Sequence, residues 1–124
     1  MNRDPQRLAD YLAHIIEAIA RIERYTEGMA ELVFLGSQLV QDAVIRNLEI
    51  IGKASNNIER LHPDFAAAHP EIPLAYANQM RNAVAQGYFK VDLEIVWTTI
   101  RGDLPGLRVK VQEPRAALAG NDAA

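Results

Sequence analysis

Two long stretches of this chain repeat apolar residues with the period of an α-helix, and no segment makes a convincing strand. In the first, about Asp4 to Tyr25, Leu8, Tyr11, Leu12, Ile15, Ile19 and Ile22 fall on one face at spacings of three and four. Asp10, His14, Glu17 and Arg21 fall on the opposite face. In the second, from Ser37 to about Leu61, Val40, Ala43, Val44, Leu48, Ile51, Ala54 and Ile58 form the apolar face. Ser37 is suited to cap that helix, accepting from a free backbone N–H of the first turn. Its polar face carries Asp42, Arg46, Glu49 and Lys53, spaced so that Asp42 can pair with Arg46 and Glu49 with Lys53. Ile45 and Ile50 flank the apolar stripe and hint that this helix buries more than one face.

The rest of the chain supplies shorter helical signals. "TEGMAELVFLGS" is a short helical or irregular link, with Gly28 and Gly36 as breakers. Pro63, Pro70 and Pro73 end the second helix and make a connector with room for one helical turn. His62 and His69 each precede a proline and read as loop residues. A third helix should run from Pro73 or Leu74 to about Gln86, packing through Tyr76, Met80, Ala83 and Val84, with Gly87 as its stop. Asp92 caps a fourth helix that reaches about Arg101, and Val91 and Val96 are placed as a hydrophobic staple. Gly102, Pro105 and Gly106 interrupt it before a short fifth helix or extension through Val111. The domain is expected over residues 1–112, and 113–124 is small, polar and expected to be a disordered tail. These signals make an all-α bundle of four to five helices the expected fold class.

A chain of 124 residues suits one domain and needs no disulfide or metal to hold it together. It has no cysteine, which excludes a disulfide framework and a thiolate zinc site. No apolar h-region follows the first charges, and no apolar run approaches the roughly 20 residues that span a bilayer. A cytoplasmic protein without membrane contact is the expectation. Thirteen Lys and Arg against sixteen Asp and Glu give a net charge of −3, which argues against a general electrostatic grip on nucleic acid. A local basic patch, or one shared across a dimer, is still compatible with that charge.

The chain lacks a glycine-rich phosphate loop, a nucleophile elbow and a His-Glu-x-x-His motif. His14 sits beside Asp10 and Glu17 on the polar side of the first helix and reads as solvated, since a metal would need several convergent ligands. Asn47 lies near the middle of the second helix's apolar face. It is either a satisfied core amide or the support of a polar pocket against another helix. The densest polar group is Arg81, Asn82, Gln86 and Tyr88, within "MRNAVAQGYF". An arginine near a helix end with amides and a phenol can bind phosphate. The same residues also suit a solvated helix end followed by an aromatic core residue.

Two segments resemble a known family. "QDAVIRNLEIIGKASNNI" and "HPEIPLAYANQMRNAVAQGYFKVDLEIVWTTIRGDLPGL", with the connector between them, cover over half the chain and are similar to the HepT-like toxins of the HEPN superfamily. The family signature is Arg, four residues, His, one residue, Tyr. Arg81 and Tyr88 match it, Asn82 matches the polar residue that commonly follows the arginine, and Gln86 stands at the histidine position. The resemblance implies a metal-independent endoribonuclease toxin without cofactor, a two-fold homodimer with both motifs facing one cleft, and an MNT-type nucleotidyltransferase antitoxin as partner. It also implies that Tyr88 is the site of AMPylation by that antitoxin.

Histidine titrates near neutrality and suits proton transfer, whereas a glutamine amide has no useful pKa. Losing a general base costs about a hundred- to ten-thousand-fold in rate, so impaired RNA cleavage is the expectation. Gln86 is either native to the chain or substituted for the histidine; both leave the same residue. The competing readings are a non-catalytic module that binds a nucleotidyltransferase partner and a helical scaffold with no nucleic-acid role.

Overall fold

The computed structural model describes residues 5–78 and 92–123. They are α-helical throughout apart from short links, with no strand among them. The elements are α1 (Pro5–Tyr25), α2 (Glu31–Leu35), α3 (Gln38–Leu61), α4 (Pro63–Ala68), α5 (helical over 74–78), α6 (Leu93–Gly102) and α7 (Leu104–Ala123). This is an all-α bundle, as the periodicity requires.

The two long amphipathic helices lie against each other. Arg21 reaches Asn47, while Tyr11 stands edge-on to His62, so the residue number rises along α1 as it falls along α3. The pair is therefore antiparallel. Leu12, Ile15 and Ile19 of α1 and Val44, Leu48, Ile51 and Ile58 of α3 are wholly buried in the core. Burying each such side chain contributes roughly 1.5–3 kcal/mol. The α7 helix also packs on α1, where Arg108 donates to Glu23. Its Leu104, Leu107 and Val111 complete the core.

The caps explain where helices begin. The Ser37 hydroxyl accepts from the Val40 N–H at 3.4 Å, and the Asp92 carboxylate accepts from the N–H groups of Glu94 and Ile95 at 3.0 and 3.2 Å. The α1–α2 turn reverses through Gly28, whose φ of 70° lies in the left-handed region that favours glycine. Arg101 of α6 clamps this turn. One terminal nitrogen donates to the carbonyls of Thr26 and Met29 at 2.7 and 2.8 Å, and the guanidinium lies over the Trp97 ring. Below it, Trp97 meets Phe34, the one buried side chain of α2.

Several expectations change. Tyr76 is not a packing residue: it is 48% exposed, and Leu74 and Ala77 take the core positions. Those two are three residues apart and share a face, from which Tyr76 is turned away at about 100° per residue. His62 is a link residue between α3 and α4, as expected, but it is buried there, edge-on to Tyr11. Neither Asp42–Arg46 nor Glu49–Lys53 closes into an ion pair among the described residues. An exposed pair gains little in water against the side-chain entropy it loses. Ile45 and Ile50 are half-buried, and Ile50 packs on the core.

The interruption after α6 is the single residue Asp103, and α7 then continues past 112 to Ala123, through the stretch expected to be disordered. The cause is an apolar row that outlasts the obvious pattern. Leu104, Leu107, Val111, Pro114 and Leu118 recur at helical spacing, and Pro114 and Leu118 are half-buried. Met80, Ala83, Val84, Gly87 and Val91 lie outside the described residues.

Ile51→Ala should destabilise the fold by about 2–5 kcal/mol, the usual cost of a core cavity. Leu39→Ala, at a position 82% exposed, should leave the thermal midpoint within a degree or two. Thermal unfolding followed by circular dichroism compares the two.

Candidate functional site

The candidate motif residues Arg81, Asn82, Gln86 and Tyr88 lie in 79–91, outside the described residues. What the structure describes is the frame on either side. At the entrance, the Asn78 amide donates to the Asn56 side-chain oxygen of α3 at 3.4 Å. Two residues earlier, the Tyr76 hydroxyl donates to Asp103 at 3.0 Å. At the exit, the Asp92 cap starts α6. The segment therefore leaves from a helix tied to α3 and to the α6–α7 junction, and rejoins at a capped helix start.

Tyr76 and Asp103 line a cavity of about 510 Å³ together with Pro73, Thr99, Leu107 and Lys110. Partial burial, followed by the hydrogen bond given to Asp103, holds the Tyr76 phenol above its usual value. On the far side of α4, His69 stacks on Phe65 and its Nδ1 lies 2.9 Å from Glu71. That hydrogen bond draws the Glu71 carboxyl below the usual carboxylate value.

Asn47 is placed. It is buried in the α1–α3 seam, its amide nitrogen donates to the Ala43 carbonyl at 2.8 Å, and its oxygen accepts from Arg21 at 3.5 Å. Both halves of the amide are therefore satisfied, one of them by a second helix. Along the same helix, Ser55 is fully buried and its hydroxyl has no hydrogen-bond partner among the described residues. The sequence pattern did not single out Ser55, since a small residue between Ala54 and Asn56 carries no signal of its own.

His14 is exposed on α1, as its polar neighbours suggested. It lines a second cavity of about 570 Å³ between α1 and α3, with Arg7, Arg46, Lys53 and Asn57. Among the described residues, no group of three or more His, Asp or Glu is placed to hold a metal ion, and no helix is long and apolar enough to cross a membrane. The Arg101 clamp and the Tyr76–Asp103 bond were both missed from sequence. The four-residue step from Trp97 to Arg101 is a readable cation–π spacing, but nothing in the sequence pairs Arg101 with carbonyls in another turn.

A family model described as "Ribonuclease HepT-like" matches residues 15–114. A protein of Thermococcus cleftensis named "Probable ribonuclease HepT" is 43% identical over 106 residues, covering 86% of this chain and 94% of that protein. A Methanocaldococcus jannaschii protein named "Gamma-glutamylcyclotransferase and putative RNase MJ0434" is 40% identical over 101 residues, covering 82% of this chain and 44% of that protein. No solved structure matches the chain.

Asp103→Asn should lower the pH at which Tyr76 ionises, because it removes the negative charge beside the hydroxyl that disfavours the phenolate, while the amide oxygen can still accept the hydrogen bond. In the folded protein, stability from this contact is complete below the unfolded phenol value near 10 and is lost as pH rises through the raised one. Ring-carbon NMR titration of the tyrosines reads the shift; an unchanged Tyr76 curve would remove Asp103 as a cause.

Proposed function

Because the chain belongs to the HepT-like ribonuclease family, we propose that it is the toxin of a toxin–antitoxin pair whose RNA-cleaving site is impaired by Gln86. The observation that carries this is the spacing Arg81, four residues, Gln86, one residue, Tyr88, inside the matched residues 15–114. The relatives' names, which speak of ribonucleases, support the substrate class.

Cleavage of RNA without a metal needs three things. A base takes the proton of the 2′-hydroxyl as its oxygen attacks phosphorus. A cation stabilises the added negative charge on the phosphoryl oxygens. An acid or water protonates the departing 5′-oxygen. The products are a 2′,3′-cyclic phosphate and a 5′-hydroxyl. Arg81 supplies the cation, because guanidinium keeps its charge and holds two phosphate oxygens through parallel donors. Asn82 and Tyr88 orient the phosphodiester by hydrogen bonds, and Asn47 supports the packing from the α1–α3 seam. Gln86 fills the place of the base without its chemistry, since an amide does not exchange a proton near neutral pH.

In this reading the active form is a two-fold homodimer in the cytoplasm, with the motifs of both protomers in one cleft. The partner is an MNT-type nucleotidyltransferase antitoxin, which silences the toxin by attaching AMP to Tyr88. The missing base favours a second reading, in which the chain binds such a partner and never cleaves RNA.

Gln86→His should raise the rate of RNA cleavage by about a hundredfold or more, the usual contribution of a general base. Arg81→Ala in that background should abolish the gain. Cleavage is followed on labelled RNA in the presence of a chelator. Equal activity with Gln and His would sink the impaired-toxin reading, and inactivity of both would leave the binding module. Mass analysis after co-expression with an MNT-type nucleotidyltransferase tests AMP on Tyr88 separately.

A further inference from the structure

The chain is acidic overall, at −3, yet basic side chains gather along the α1–α3 seam. On α3, Arg46, Lys53 and Arg60 recur every seven residues, and on α1, Arg7, His14 and Arg21 do the same. Seven residues are close to two turns, so each trio returns to nearly one face with roughly 10 Å between neighbours. The helices are antiparallel, so the two rows run side by side. Arg7, His14, Arg46 and Lys53 line the cavity of about 570 Å³ between them, and the buried Tyr11 and Ala54 form its depth.

Among the described residues, Glu49 is the one carboxylate in that lining, beside Arg46 and Lys53, and Arg7 donates to the Tyr11 hydroxyl at 3.1 Å. Arg21 is taken up by Asn47 and Glu17, and Arg60 reaches the Asn57 oxygen. Arg46 and Lys53 form no ion pair among the described residues. Like charges gathered on low-dielectric walls repel one another and focus the field on what enters between them. A polyanion entering the cavity would relieve that repulsion. The even repeat suits a polymer with charge at every unit better than a compact anion. Asn57 lines the cavity, and the next residue back, Asn56, accepts from Asn78 of α5.

We propose that the α1–α3 cleft binds the phosphodiester backbone of single-stranded RNA outside the motif, with Arg46 and Lys53 as its principal contacts. This rests on the ribonuclease reading and deepens it. The cleft supplies affinity without reading bases, since arginine and lysine on phosphate carry no sequence information. It is a binding surface, and its loss should weaken RNA capture whether or not residue 86 can transfer a proton.

The test is fluorescence anisotropy of labelled single-stranded RNA of about twenty nucleotides, titrated at several salt concentrations with the protein carrying Gln86. Arg46→Gln combined with Lys53→Gln should weaken binding roughly tenfold at low salt and flatten the salt dependence by about 0.7 for each phosphate no longer neutralised. Lys53→Arg should keep the wild-type slope, and Lys110→Gln, in the other cavity, should bind as wild type. Circular dichroism melting confirms that both glutamines leave the fold intact. Wild-type affinity and slope in the double variant, with binding abolished in Arg81→Ala, would overturn the cleft alone. Absence of RNA binding by the wild type would overturn the ribonuclease reading as well. Capture of polyglutamate rather than RNA through Arg46 and Lys53 would point to a protein partner and overturn the proposal.

Discussion

The antiparallel seam between α1 and α3 is the contact from which the rest of the structure follows. Two helices of 21 and 24 residues each present one apolar stripe, and neither stripe is stable in water. Joining them removes most of that surface at once. It also defines the remaining surfaces: one flank receives α7, another receives α5 through Asn78, and the outer groove is left open with its basic rows. The polar intrusion at Asn47 is tolerated because the seam itself supplies both partners, one from its own helix and one from Arg21.

The smaller elements are held by polar contacts aimed at backbone or at single side chains. Arg101 braces the α1–α2 turn by donating to the carbonyls of Thr26 and Met29, the first of which also accepts from the Met29 N–H, and its stacking on Trp97 fixes the direction of the guanidinium. Tyr76 ties α5 to Asp103 at the α6–α7 junction. These contacts cost little area and carry the geometry of the links. They also place the ends of the motif segment: its entrance is tied to α3 and to the α6–α7 junction, and its exit to a capped helix start.

A basic groove on an acidic chain separates two properties that net charge alone would merge. Overall acidity disfavours general adhesion to nucleic acid, while a local group of cations around one cavity can still hold a phosphate chain. In the proposed reading, where Gln86 stands in the place of the base, binding and cleavage become separable by mutation. Position 86 governs the chemistry in this reading, and the α1–α3 cleft governs capture.

The sequence by itself determined the helices and their inward faces. Leu8, Leu12, Ile15, Ile19 and Ile22 are buried because helical period leaves them no other common face, and Ser37 and Asp92 start helices because their side-chain oxygens answer free N–H groups nearby in the chain. The spacing of Arg81, Gln86 and Tyr88 is a local pattern read from the sequence alone, and these residues lie outside the described ones. Tertiary structure alone decided the fate of residues whose neighbours are distant in sequence. Tyr76 turned outward to Asp103, His62 turned inward against Tyr11, and Arg101 found carbonyls some seventy residues away. Local periodicity records which face a side chain is on. Which helix that face meets depends on long-range packing, and the two basic rows became one cleft only when α1 and α3 closed side by side.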